Sequence, residues 1–365
     1  KKIKNCMAIN FKKLSKKFSG KKVLVTGHTG FKGSWLVLIL KFLGAKVIGV
    51  SDKLVSSPSH FQLIKNRINI KNYFCDVRNI EKFKKVINKE KPDYIYHLAA
   101  QSLVKKSYSN PLETWSTNLG GTINLLEILR TYKTSCVVIF ITSDKVYKNI
   151  ETKKPYNENS VLGWYDPYSC SKSSADLAIQ SYIQSYFIKK KKIKIAIARA
   201  GNVVGGGDWS SDRLIPDCVK SWSKSKNVDI RQPNSTRPWQ HVIDIVYGYL
   251  TLSYFLSINK KLNHEAFNFG PDHKKNHKVK EVIALMKKNW KKANWKYKKN
   301  KTQKESVLLN LDSRKAILKL SWKPILKFKD VIEYTTVWYK NYYEKKIDTY
   351  DLSVNQIKKF ENLLN

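Results

Sequence analysis

Lys22-Val-Leu-Val-Thr-Gly-His-Thr-Gly-Phe-Lys-Gly-Ser-Trp-Leu36 decides the fold. A β-branched run ends in glycine, a three-glycine turn follows, and an apolar helical stretch runs from Ser34 to Leu43. Strand, tight turn and helix open a βαβ unit, with Gly27-x-x-Gly30-x-x-Gly33 where a dinucleotide pyrophosphate meets a helix N-terminus. A glycine triplet alone is a weak signal, but this one sits between a strand and a helix, the context the signal requires.

Further strands are predicted at Lys46–Val50, near Tyr73–Cys75, and at Tyr94–Leu98, Val137–Ile141 and Ile193–Ala198. Helical patterns fill the gaps at about 79–90, 111–132 and 168–190. Strand and helix alternate and the strands are apolar throughout, which predicts an α/β fold: a doubly wound parallel sheet, Rossmann-type, with helices on both faces. The reading assigns 1–18 to a frayed leader and 19–200 to a nucleotide-binding domain. Residues 201–345 form mainly a smaller C-terminal substrate lobe, and 346–365 a C-terminal tail. The two larger regions interleave, because Phe267-Asn-Phe-Gly270 reads as a late return to the sheet.

Composition narrows the function. The formal net charge is +41, yet only eight of the 69 basic residues are arginine and the lysines are dispersed. That pattern reads as lysine at solvated positions, not as the clustered face of a nucleic-acid binder. Five cysteines without a C-x-x-C pair speak against a disulfide framework and a zinc site and fit a reducing cytoplasm. Lys1–Gly20 lacks the apolar core of a signal peptide, Met7 is a candidate start, and no apolar run approaches the ~20 residues of a membrane span.

At the nucleotide end, Asp52 lies 19 residues after Gly33, near where an acidic side chain holds a ribose, though a plain loop aspartate fits as well. Asp76-Val77 follows the third strand. His97-Leu98-Ala99-Ala100-Gln101 ends the fourth with small residues that let a cofactor pass closely, and His97 itself reads as a core histidine.

Tyr168-Ser-Cys-Ser-Lys172 carries the chemistry. Tyrosine and lysine four apart share a helix face, so the ammonium sits beside the phenol. A free phenol with a pKa near ~10 is a poor base, and a neighbouring cation lowers it. Val137–Ile141 runs into Thr142-Ser143-Asp144-Lys145-Val146-Tyr147, at the strand end that faces the ligand crevice of a doubly wound sheet. A hydroxyl, a carboxylate and an ammonium thus project together. An epimerase or reductase needs only the hydroxyl, whereas eliminating water needs the added acid and base.

The chain resembles the CDP-glucose 4,6-dehydratases, extended short-chain dehydrogenases/reductases of the epimerase/dehydratase class. The resemblance rests on Gly27–Leu36, Thr142–Tyr147, Asp166–Lys172, Arg199-Ala-Gly-Asn-Val-Val-Gly-Gly-Gly-Asp-Trp209, Asp212–Asp217 and Arg237-Pro-Trp-Gln-His241, in family order over about 19–345. It implies a lyase that uses NAD and returns the hydride to its own product. In that scheme Tyr168 takes the sugar O4 proton, Lys172 holds the ribose and Ser143 steadies the hydroxyl. Asp144 and Lys145 expel water, with acid and base unassigned between them. NAD contacts are implied for Gly27, Thr29, Gly30, Phe31, Gly33, Asp76, Val77, Leu98, Ala99, Ala100 and Asn118, as well as for Tyr168 and Lys172. Substrate contacts are implied for Gln101, Ser143, Asn202, Arg213, Arg231, Arg237 and His241, with Trp209 and Trp239 as walls. No metal is expected. Lys145 stands where the dTDP-glucose enzymes carry glutamate, which separates the chain from that branch. The expected partners are CDP-glucose and a second copy, as a homodimer or homotetramer paired through the helices at 111–132 and 168–190. Competing readings are a dTDP-glucose or GDP-mannose dehydratase, a UDP-sugar 4-epimerase, and a non-catalytic NAD- or polyanion-binding protein.

Overall fold

Seven parallel strands form the central sheet in the order β3-β2-β1-β4-β5-β6-β7. They are β1 (Lys22–Thr26), β2 (Lys46–Ser51), β3 (Lys71–Phe74), β4 (Tyr94–His97), β5 (Cys136–Ile141), β6 (Ile193–Ala200) and β7 (Ala266–Phe269). A computed structural model describes residues 8–152, 154–163, 165–272, 276–291, 293–298 and 309–365. The strand order reverses between β1 and β4, so the crevice beyond their C-terminal ends is the binding position of a doubly wound sheet.

Successive residues of a strand point to opposite faces, and each face has its own core. Val23, Val25, Tyr96 and Ile139 pack one way, under α2 (Phe31–Phe42) and α10 (Val242–Ile258). Leu24, Ile95, Val138 and Ile195 pack the other way, under α4 (Ile80–Glu90), α7 (Gly121–Thr131) and α8 (Pro167–Tyr182). The remaining N-terminal helices are α1 (Phe11–Phe18), α3 (His60–Ile64), α5 (Val104–Ser109) and α6 (Pro111–Trp115). After β6 come α9 (Leu214–Trp222), α11 (Val279–Asn289), α12 (Arg314–Leu320), α13 (Phe328–Glu344) and α14 (Thr349–Asn362).

Both chain ends depart from expectation. Residues 8–18 are not a frayed leader: Asn10 caps α1 by accepting from the Lys13 N–H at 3.1 Å, and Phe11, Leu14 and Phe18 are buried. Those three residues are spaced as one apolar stripe of a helix. Nor is 346–365 a loose tail, since Leu352, Ile357 and Phe360 of α14 are buried. The first and last of these helices meet, with the Phe11 and Phe360 rings edge-on at 6.2 Å. The two long helices expected at 111–132 and 168–190 are present, the first interrupted by a π-turn at Ser116–Gly120 and the second ending in one at Ile183–Phe187. β7 pairs with β6, the return to the sheet that Phe267–Gly270 suggested.

Three histidines are locked into this core: His97 between Thr26 (2.9 Å) and Thr122 (3.4 Å), His60 between Ser34 (2.9 Å) and Ser353 (3.0 Å), and His241 against Trp35 and Tyr334. Burial brings each imidazole down to about 3, against ~6.5 in an unfolded chain. Because the unfolded state binds the protons, their contribution is complete above pH 6.5 and is lost as pH falls toward 3. Each ring costs about 1.4 kcal/mol per pH unit in that window. Urea midpoints measured at pH 7.5 and 5.5 will therefore differ clearly, the acidic one being lower; equal midpoints would mean that these rings are not buried neutral.

Candidate active site

The glycine turn is built for close approach. Gly27 has φ +67°, and a Cβ there would lie 2.8 Å from the Ala99 nitrogen; one on Gly33 would lie 2.2 Å from the Gly27 carbonyl oxygen. Gly30 is the N-cap of α2 and offers no side-chain cap, so the first-turn N–H groups face the crevice. That is the donor set of a dinucleotide pyrophosphate site, and the residues fit the group. The Thr26 hydroxyl accepts from the Leu98 and Ala99 N–H groups, both at 3.1 Å, and pins the passage beside the turn. Thr29 bonds Ser51 at 2.8 Å and donates to the Lys53 carbonyl at 2.7 Å, tying the turn to the end of β2.

One cleft of about 1520 Å³ takes in the expected nucleotide residues Gly27, Thr29, Gly30, Phe31, Gly33, Asp76, Val77, Leu98, Ala99 and Ala100, and Asp52 with them. It also takes in Ser143, Asp144, Lys145, Tyr168, Lys172, Gln101, Asn202, Arg213, Arg231 and Arg237. A single small-molecule site is usually 300–1,000 Å³, so this cleft has room for two ligands end to end. No cluster of histidine, cysteine or carboxylate side chains among the described residues is arranged to hold a metal.

Two expected contacts lie elsewhere. Asn118, in the π-turn, is buried under the cleft; its amide accepts from the Gln101 N–H at 2.8 Å and donates to the Gln101 carbonyl (3.1 Å) and Ser171 (2.9 Å). It shapes the 101 loop without touching the crevice. His241 is fully buried and caps α10, its Nδ1 accepting from the Ile243 N–H at 3.3 Å. Gln101 does reach the cleft, but its amide is occupied by Leu103 and Thr114. Arg213 is held by Asp208 at 2.8 Å, and Asp76 by Arg78 at 2.6 Å.

The Tyr168 phenol is pushed up to about 12 by burial, with the Asp144 charge adding and the Ser143 hydroxyl opposing. The Ser143 hydroxyl donates to Asp144 Oδ1 at 2.8 Å and accepts from the Lys145 N–H at 3.2 Å. Lys172 donates to the Ile141 carbonyl at 3.3 Å; burial, aided by the charge of Lys32, brings its ammonium down to about 8, with Asp176 opposing.

Behind these groups lies a buried ion pair. Arg199 on β6 grips Asp176 on α8 through both oxygens, Nε to Oδ2 at 2.9 Å and Nη2 to Oδ1 at 2.7 Å. Thr142, next to Ser143, donates to the same carboxylate at 3.1 Å, and Tyr147 accepts from Arg199 at 2.9 Å while donating to Asn268 on β7 at 2.7 Å. Arg199 and Tyr147 stand in motifs the sequence singled out, but Asp176 had no local signal because its partner is 23 residues away. Lys32, Asp208 and the Trp35–Gly206 contact were missed for a related reason: all join the glycine motif or the Gly205–Asp208 turn to segments remote in sequence.

The family described as GDP-mannose 4,6 dehydratase matches residues 24–335. A CDP-glucose 4,6-dehydratase of Salmonella typhimurium is 39% identical over 88% of this chain and 91% of its own length. An epimerase from Methanothermobacter thermautotrophicus superposes with a TM-score of 0.80 at 25% identity, over 92% of this chain and 98% of that one. A dTDP-glucose 4,6-dehydratase from Bacillus anthracis, solved in complex with NAD, gives 0.73 at 22% identity, over 89% and 98%.

Removing one partner of the buried pair leaves an uncompensated charge. Arg199→Met is expected to cost 3–5 kcal/mol, and adding Asp176→Leu to recover most of it. Equilibrium unfolding of both variants tests this; a loss below about 1 kcal/mol for the single variant would show the pair to be dispensable.

Proposed function

The chain belongs to the GDP-mannose 4,6 dehydratase family, and we infer that within it this protein is an NAD-dependent CDP-glucose 4,6-dehydratase, a hydro-lyase that forms CDP-4-keto-6-deoxyglucose and water. The observation that carries the reading is one cleft holding a glycine cradle, the Tyr168–Lys172 pair and the Ser143-Asp144-Lys145 strand end together. An epimerase needs the first two and the Ser143 hydroxyl; Asp144 and Lys145 supply the acid and base of an elimination. The Salmonella relative supports the CDP-sugar branch over the dTDP, GDP and UDP alternatives.

NAD, when bound, supplies the oxidant that accepts a hydride from sugar C4 and later returns it to C6. The chain's own groups do the proton work. Tyr168 takes the O4 proton, and its burial-raised phenol needs the Lys172 ammonium and a nicotinamide cation nearby to become basic. Ser143 orients the same hydroxyl. A C4 ketone acidifies C5–H, and Asp144 and Lys145 then divide removal of that proton and protonation of the C6 hydroxide between them. Glycines 27, 30 and 33 would receive the cofactor pyrophosphate, and Asp76, Val77 and Leu98–Ala100, which line the same cleft, would hold the rest of the nucleotide. Asn202, Arg213, Arg231 and Arg237 line the substrate end, where guanidinium forks suit phosphate oxygens.

Exposed apolar side chains on α6 and α8, namely Leu112 and Leu177, support pairing with a second copy across the helices at 111–132 and 168–190. No helix among the described residues is long and apolar enough to cross a membrane, and the free cysteines suit a cytoplasmic enzyme.

Incubation with CDP-glucose, dTDP-glucose, UDP-glucose and GDP-mannose, followed by mass spectrometry, tests the reading. Loss of one water from CDP-glucose alone, with no net NADH, is expected. Water loss from another sugar nucleotide would move the branch, and an isomer of unchanged mass would replace dehydration by epimerisation. Tyr168→Phe should keep NAD and lower turnover on the order of 10²–10⁴-fold; activity within twofold of the parent would remove Tyr168 from the proton path.

A further inference from the structure

Lys32 is the second residue of α2, directly after the glycine turn, and its side chain faces the cleft. Nothing in the nucleotide-binding role of that turn calls for it. Backbone N–H groups serve a pyrophosphate at a helix start without a side-chain cation. Its surroundings belong to the substrate half: the charges that act on its ammonium are Arg213, Asp144 and Asp208, and it in turn acts on Lys172.

The other cations along this wall, the exposed Arg231 aside, already have partners. Arg213 is paired with Asp208 at 2.8 Å, Lys105 with Asp212, Lys106 with Glu113 at 2.8 Å, and Lys172 donates to the Ile141 carbonyl. Arg231 is exposed at the rim. Lys32, by contrast, is half-buried, and no hydrogen bond or ion pair of its ammonium forms among the described residues. Three N–H donors on a charge partly withdrawn from water call for an anionic oxygen ligand. Burial and the Arg213 charge bring the ammonium down to about 8, so it remains charged at neutral pH. It lines the same cleft as Asp144, Asp208 and Arg213, and it is close enough for the charges of all three to act on its ammonium.

We propose that Lys32 is a substrate-binding residue, donating to the sugar-linked phosphate of the nucleotide sugar from the side opposite Arg213. This rests on the nucleotide-sugar reading of the cleft, but not on the identity of the base. It makes one helix serve both ligands: its backbone start receives the cofactor, and its second side chain receives the substrate. It also explains why a diphosphate site can hold an arginine neutralised by Asp208, since Lys32 restores the missing charge.

The test compares nucleoside diphosphate with nucleoside monophosphate, because only the former carries the second phosphate. Wild-type protein, Lys32→Met and Lys32→Arg, each with its bound NAD, are titrated calorimetrically with CDP and CMP, or with the pair of whichever base the wild type binds. A charge-assisted bond to phosphate predicts that Lys32→Met weakens diphosphate binding on the order of 10–100-fold. The monophosphate should change less than about twofold, NAD content should stay at the wild-type level, and Lys32→Arg should recover most of the loss. Equal weakening of both nucleotides, loss of NAD with nucleotide binding intact, or unchanged diphosphate affinity would each overturn the assignment. A wild type that prefers UDP to CDP would correct the base while leaving the Lys32 comparison valid. A wild type that binds no nucleoside diphosphate would overturn both.

Discussion

The Arg199–Asp176 ion pair is the constraint on which the rest of the site depends. It joins the three segments that must meet for the chemistry: β6 through Arg199, the Tyr168–Lys172 helix through Asp176, and the end of β5 through Thr142. Burying two charges is costly, and the cost is met only when every donor and acceptor finds its place. Here both carboxylate oxygens are engaged and the guanidinium also meets the Tyr147 hydroxyl. A slip of α8 along the sheet would break the Asp176 contacts with Arg199 and Thr142 together. The pair therefore fixes where the phenol and the ammonium stand relative to Ser143 and Asp144, and its negative end opposes the burial that depresses Lys172.

A second set of contacts ties the nucleotide half to the substrate half. The Trp35 indole, on the helix that begins at the glycine turn, donates to the Gly206 carbonyl at 2.9 Å. Gly206 leads into Asp208, whose backbone is clasped by the Tyr339 hydroxyl of α13, and Asp208 holds Arg213. His60 lies stacked on Trp35 at 4.7 Å and bonds Ser353 of α14. The C-terminal helices thus buttress the loop that carries the substrate-side arginine, which is why 346–365 is ordered and not a tail.

Much of this was legible in the sequence because the signals were local. The glycine spacing after β1, the apolar strands, the Tyr168–Lys172 interval and the hydroxyl, acid and base after β5 each lie within a few residues and have a fixed geometric meaning. What escaped depended on partners distant in the chain. Asn118 and His241 were matched to roles by motif position, yet their hydrogen bonds turn inward, one to the 101 loop and the other to the start of α10. The stripe Phe11, Leu14, Phe18 was readable as a helix face, but the surface covering it comes from α10 and α14, far along the chain. Lys32 lay inside the most diagnostic motif and looked like one more lysine among many.

The proposed chemistry differs from epimerisation in the fate of one hydrogen, and that hydrogen can be followed. CDP-glucose carrying deuterium at C4 would be converted in solvent water and the product examined by mass spectrometry and NMR. Tyr168 acting at O4 and the Asp144–Lys145 couple acting across C5 and C6 predict that the deuterium appears at C6 of the same molecule. They also predict one solvent hydrogen at C5. Deuterium retained at C4, or washed into solvent, would contradict the internal redox cycle and with it the dehydratase assignment.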